Sequence, residues 1–222
     1  MAKKKLFIKM VNSRSNRTIQ FIYFDIGQVL VSLKQGWLKF CTNNKLDQTQ
    51  ANLFSEVWAK YSDQLCSNQL TSEEFNQYLI SEAKFQIPSG FNIVNETVNC
   101  FSPILPMQEF LRELSSQYPI GLLSNAYPQM IHLLSTQGKL PKINYSHIID
   151  SSEISLIKPD NKIYLYAQKK SKSVANQILF IDDKLENIQA AASLGWQTFQ
   201  FDENKTNKHL KSLRQHIKEK GE

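Results

Sequence analysis

The chain is poor in the groups that build a disulfide scaffold or a thiolate metal centre: Cys41, Cys66 and Cys100 are its only cysteines, odd in number and widely spaced. No pair of them has metal-ligand spacing, so they read as reduced thiols of an intracellular protein. His132, His147, His209 and His216 show no ligand spacing either, which argues against a histidine metal site or a nucleophile–histidine pair. Long uncharged apolar runs are missing as well. A membrane span needs about 20 such residues, and the early segment "LFIKMV" is cut by Lys9 and too short for the apolar core of a signal peptide. The expected setting is the cytoplasm, without a membrane partner. No internal repeat or low-complexity segment stands out.

Acid is absent from the first twenty residues, which hold Lys3, Lys4, Lys5, Lys9, Arg14 and Arg17. The formal net charge of +6 therefore belongs to a tail, and the rest of the chain is balanced. A basic tail is not a basic surface, so no nucleic-acid partner is expected. At the other end "KHLKSLRQHIKEKGE" reads as a closing helix with a solvated lysine-rich face, its cations near the negative end of the helix dipole. Oligomeric state is not readable from these features.

With 222 residues, 41% of them hydrophobic, the chain can bury a full core. Short apolar runs rich in β-branched and aromatic residues recur: "FIYFDIG", "PIGLLSN", "HIIDS", "QILFIDD" and "WQTFQF". Helical patterns separate the later ones, namely "PMQEFLRELSSQ", "NKIYLYAQKK" after Pro159, and "LENIQAAASLG" ending on Gly195. Apolar strands alternating with helices predict a doubly wound, Rossmann-like α/β core with a parallel sheet covered on both faces. From Trp37 to Cys100 the alternation stops and the pattern is helical throughout. Asp47 is placed to cap one helix there, and Thr71 with Glu74 to form a capping box beside a Leu70–Phe75 staple. The expected organisation is a basic tail over 1–19, an α/β core over 20–36 and 101–222, and an inserted α-helical cap domain over 37–100.

Ligands of open α/β sheets bind at the carboxyl ends of the strands. That rim would collect Asp25, Ser124 with Asn125, Lys158, and Asp182 with Asp183. Each taken alone also suits a turn or a helix cap. Together they are three carboxylates that repel one another unless a cation sits between them, and Mg2+ suits hard oxygen ligands and a substrate phosphate. Lys158 and the Ser124 hydroxyl are then suited to hold phosphoryl oxygens, and Asp25 to attack phosphorus.

These segments resemble the haloacid dehalogenase-like hydrolase superfamily: "FDIGQVLV" resembles its first motif, "LLSNA" the second, "IKPDNKIY" the third and "FIDDKLENIQAAASLGW" the fourth, in order across residues 20 to 201. The helical block resembles the cap of the subfamily with an insertion between motifs one and two, and three of the motifs are similar to a branch that includes sugar-phosphate phosphatases. The resemblance implies that Asp25 is the nucleophile and Ser124, helped by Asn125, the phosphate donor. It implies that Lys158 steadies nucleophile and phosphate, Asp183 is the main Mg2+ ligand, Asp182 lies in or next to the metal shell, and Gly27 offers its carbonyl to the metal. The implied activity is magnesium-dependent hydrolysis of a small phosphorylated metabolite, such as a sugar phosphate, through an aspartyl-phosphate. Gly27 departs from the usual pattern, in which a second aspartate acts as general acid and base. A phosphate-ester-binding or regulatory protein with a weakened site is one alternative, and haloacid dehalogenation, which needs no magnesium, is another. Trp37, Trp58 and the Phe-rich positions of the helical block read as cap core, while Gln28, Lys34 and Trp37, which follow the first motif, also stand where they could touch substrate.

Overall fold

The computed structural model describes residues 19–221. The basic tail expected over 1–19 lies outside the described residues except for Ile19, which is buried. Five strands, β1 (Phe21–Phe24), β4 (Ile120–Ser124), β5 (His147–Asp150), β6 (Ile178–Asp182) and β7 (Gln197–Gln200), fall on the five apolar runs and form one sheet in the order β5-β4-β1-β6-β7. All four pairings are parallel. Alternate residues feed opposite cores: Ile22 and Phe24 enter one cluster, Phe21 and Tyr23 the other. Burial on both faces is what a parallel sheet requires.

Three helices fall on the patterns between strands: α5 (Leu105–Ser115), α8 (Asn161–Ser171) and α9 (Leu185–Ser193). α9 ends as its glycine predicts. Gly195 has φ of 86°, its N–H donates to the Ala192 carbonyl at 2.9 Å, and that of Trp196 donates to Ala191 at 3.2 Å, the pair of bonds that closes a Schellman cap. α8 and α9 cover the Phe21–Tyr23 face, where Tyr164, Phe180 and Trp196 pack edge-on. The closing helix α10 (Thr206–Gly221) buries Leu210, Leu213 and Ile217, spaced i, i+3, i+7, and sets the Arg214 guanidinium 4.6 Å over the Phe110 ring of α5. No described helix is long and apolar enough to cross a membrane.

Between residues 32 and 102 lie four helices, α1 (Gly36–Asn43), α2 (Gln48–Cys66), α3 (Ser72–Ser81) and α4 (Ile93–Cys100). Asp47 and Gln50 form a capping box on α2, as Thr71 and Glu74 do on α3, each cap contributing about 1 kcal/mol. Their apolar residues join the cluster on one face of the sheet. Absent from the sequence pattern is the pairing of β2 (Val31–Ser32), antiparallel, with β3 (Ser102–Pro103), which ties together the two chain segments that enter and leave the helical block. Two short helices complete the described elements named here, α6 (Met130–Thr136) and α7 (Ser151–Ile154).

Chain order runs from β1 outward to β4 and β5, then crosses to β6 and β7. The direction reverses at the carboxyl end of β1, and a crevice opens at such a switch point.

Candidate active site

Asp25 emerges from β1 with its N–H still bound to the sheet, donating to the Ile181 carbonyl at 2.9 Å. Ser124 ends β4, Asp182 ends β6, and Lys158 lies in the loop before α8. All four are buried. Beyond Asp25 the chain turns sharply: the Val31 N–H donates to the Ile26 carbonyl at 3.0 Å, the Gln28 N–H to the Val31 carbonyl at 2.7 Å, and Gln28 takes φ of 55°. Neither bond uses the Gly27 carbonyl.

Lys158 is the centre of the cluster. Its Nζ stands 2.9 Å from Asp25 Oδ1 and 2.6 Å from Asp182 Oδ2. Burial works against the ammonium charge, but Asp25 and Asp182 outweigh it and hold Lys158 above its ordinary value. Asn125 fixes the lysine's main chain, its Nδ2 donating to the Lys158 carbonyl at 2.9 Å while the Lys158 N–H donates to Oδ1 at 2.8 Å. The expectation that Asn125 helps hold phosphate therefore meets a side chain turned toward the Lys158 loop. It places the lysine and also lines the cavity over Asp25.

The adjacent acids Asp182 and Asp183 part company. Asp182 has no exposed surface, and its two oxygens accept from Lys158 Nζ, from the Lys184 N–H at 2.8 Å, and from Asn187 Nδ2 at 3.0 and 3.1 Å. Asp183 is half-buried and lines the cavity over Asp25. Burial, then the charges of Asp25 and Asp182, push its carboxyl up to about 7. Asp25 is also pushed up, first by burial; Lys158 pulls it back, Asp182 adds to the rise, and the Ser124 hydroxyl lowers it.

A cavity of about 190 Å³ covers these groups, with Asp25, Gly27, Ser124, Lys158 and Asp183 on its floor and Leu33, Trp58, Thr97 and Tyr127 on its walls. Gln28 lines it too, whereas Lys34 donates to Asn204 Oδ1 and Trp37 faces a second cavity. Several lining residues went unnoticed in the sequence, among them Asn187 and Lys184 beside Asp182. Asn187 is a buried polar residue in the first turns of α9, and its signal was an amide on the otherwise apolar face of that helix. Lys184, exposed at the start of α9, brings a second cation to the cavity wall.

The residues fit a divalent cation. Asp25, Asp182 and Asp183 each bring one carboxylate oxygen within 4.8 Å of the others. Asp25 Oδ1, although at ion-pair distance from Lys158, is buried with no donor aligned for a hydrogen bond. An all-oxygen donor set suits magnesium. Of the three acids, Asp182 is also held by four protein contacts, whereas Asp25 and Asp183 line the cavity, as does Gly27.

Comparison with known proteins identifies the family. The haloacid dehalogenase-like hydrolase profile matches residues 22–201. The chain belongs to that family. It is 26% identical over 205 residues to a D-ribitol-5-phosphate phosphatase of Bacteroides thetaiotaomicron, covering 82% of this chain and 91% of that one. It is 27% identical over 191 residues to the sesquiterpene phosphatase astK of Aspergillus oryzae, covering 80% and 87%. In fold it is similar to a haloacid dehalogenase-family enzyme of Bacteroides thetaiotaomicron, crystallised as an aspartate-to-alanine mutant with magnesium and inorganic phosphate. That likeness has a TM-score of 0.65 at 18% identity and covers 82% of this chain and 93% of that one.

Proposed function

We propose that this hydrolase is a magnesium-dependent phosphatase of a small phosphorylated metabolite, working through an aspartyl-phosphate on Asp25. The observation that carries the reading is the Asp25–Lys158–Asp182 chain beside Asp183: a buried carboxylate with one oxygen lacking an aligned donor, an ammonium 2.9 Å away, and a second acid across the cavity. Phosphatase relatives covering most of the chain support the same reaction class.

The phosphoryl group enters with its oxygens toward Lys158 and the Ser124 hydroxyl. One Asp25 oxygen forms a bond to phosphorus as the bond to the leaving oxygen breaks, giving an acyl phosphate and an alkoxide that must take up a proton. Water then attacks that phosphorus, loses a proton, and releases inorganic phosphate with the Asp25 carboxylate restored. Magnesium held by Asp25, Asp183 and the Gly27 carbonyl would neutralise phosphoryl charge that Lys158 alone cannot. Asp182, with Asn187 beneath it and Asn125 on the lysine's main chain, keeps Nζ aimed at the nucleophile. In this reading residues 37–100 act as a cap over the core formed by 20–36 and 101–222, with β2 and β3 as the joint between them.

Gly27 favours a second reading, a phosphate-ester-binding protein of weakened activity, because among the described residues Asp25 and Asp183 are the only carboxyl groups lining the cavity. Dehalogenation leaves the raised Asp183 without a purpose. Phosphate release from a panel of phosphomonoesters, with magnesium and with chelator, tests the choice: magnesium-dependent release supports the phosphatase, and binding without release supports the alternative.

A further inference from the structure

A second cavity, of about 200 Å³, lies between α1, α2 and α4, walled by Leu33, Trp37, Phe40, Phe54, Trp58 and Thr97. It adjoins the first: Leu33, Trp58 and Thr97 line both. Its walls are aromatic and interlocked, Trp37 stacking on Phe40 at 5.6 Å and Phe54 packing on Phe40 at 4.8 Å and on Trp58 at 6.1 Å.

What it can bind follows from its hydroxyls. The Ser55 hydroxyl donates to the Ala51 carbonyl at 3.0 Å and that of Thr97 to the Ile93 carbonyl at 2.7 Å. Both protons are spent on their own helices, so neither can donate to a substrate oxygen. A polyol seated here would leave hydroxyls unpaired against aromatic rings, which is costly. An alkyl or aryl group would lose nothing and gain the burial of its surface. A cavity of about 150 Å³ admits benzene, so this one takes an apolar group of about six to eight carbons.

We infer that the substrate's leaving group carries an apolar portion that seats in this second cavity while its phosphate sits at Asp25. The inference rests on the phosphatase reading and deepens it, setting apolar alcohol phosphates above sugar phosphates. Leu33, Trp58 and Thr97 are the saddle across which the two parts of one molecule join.

The experiment is a homologous series. Turnover is measured with magnesium for ethyl, butyl, hexyl and octyl phosphate, for glycerol phosphate, a hexose phosphate and an aryl phosphate. Binding of the matching alkylphosphonates is measured by calorimetry, which needs no turnover. Both kcat/KM and affinity are expected to rise by up to roughly fourfold per methylene through about six carbons, with the polyol phosphates near the level of ethyl phosphate. Ser55→Phe, at an exposed position on the cavity rim, is expected to flatten the series; Ala59→Phe, also exposed there, serves if the first variant fails to fold. A flat series in the wild type, polyol phosphates turned over faster than alkyl phosphates of equal size, or an unchanged series in folded variants would overturn the inference. Turnover of the aryl phosphate alongside a flat series removes this site and leaves the phosphatase standing. Chain-length-dependent phosphonate binding with no hydrolysis of any ester does the reverse.

Discussion

Replacing Gly27 by aspartate places a carboxyl where phosphatases of this family usually have one. A Cβ built at Gly27 meets nothing within 4 Å, and φ there is not in the left-handed region. Neither backbone conformation nor close packing requires the glycine. The substitution is therefore expected to fold, and with magnesium present its melting temperature should stay within about 4 °C of wild type, the shift equivalent to roughly 1 kcal/mol in a chain of this size. Lower unfolded-state entropy contributes about 0.4–1 kcal/mol in its favour, while repulsion from Asp25 and Asp183 opposes it. The catalytic effect is larger. A positioned general acid is worth about 10²–10⁴-fold, or roughly 3–5 kcal/mol of barrier, but only where the leaving oxygen needs a proton. Gly27→Asp should accordingly raise turnover of an alkyl phosphate by about 10²-fold or more and leave an aryl phosphate nearly unchanged. The assay is kcat/KM against leaving-group basicity for both proteins, with thermal melting as the control. Wild-type turnover that ignores leaving-group basicity, together with a folded variant that gains nothing, would refute the reasoning and assign the proton to water or to a substrate hydroxyl.

Asp183→Asn should abolish magnesium-dependent phosphate release and the rise in melting temperature that magnesium produces, while the metal-free variant melts no lower than wild type, since a repelled charge has gone. Asp183 also sets a pH dependence. Its folded value of about 7 lies above the ordinary value near 4, so the folded state holds a proton that the unfolded chain releases, and that stability, complete below about 4, is lost as pH rises through about 7. Melting of metal-free wild type should therefore fall more steeply between pH 5 and 8 than that of Asp183→Asn, and equal slopes would contradict the assignment. Asn125→Ala removes two hydrogen bonds to the Lys158 main chain, about 1–3 kcal/mol together. It should lower kcat by more than tenfold while the chain still folds; unchanged kcat would show that the loop holds its lysine unaided.

The inner strands were legible because β1, β4 and β6 are short, mostly apolar runs buried along their length, and such a run can serve as little else; the edge strands β5 and β7 are only partly buried and were read from the shorter patterns "HIIDS" and "WQTFQF". The caps at Asp47 and Thr71 were legible because a capping box is local, linking residues three positions apart. β2 and β3 were not, since two-residue strands show no periodicity and their pairing crosses the whole helical block. Within the site, strand ends located Asp25 and Ser124 and the loop before α8 located Lys158, but contact across the fold decided finer roles. Asn125 reaches a residue 33 positions away, and Asp182 and Asp183 are alike in sequence until the pleat of β6 turns one under Lys158 and the other into the cavity. Asn187 had only its polarity on an apolar helix face to mark it.

The claim on which the account depends is that Asp25 receives the phosphoryl group. Beryllofluoride with magnesium mimics the acyl phosphate, and fluorine NMR reports its bound form directly. The account predicts a saturable adduct on the wild type, competed by inorganic phosphate, and none on Asp25→Asn. An adduct that forms equally well on the variant, or phosphate release that survives the substitution, would contradict it.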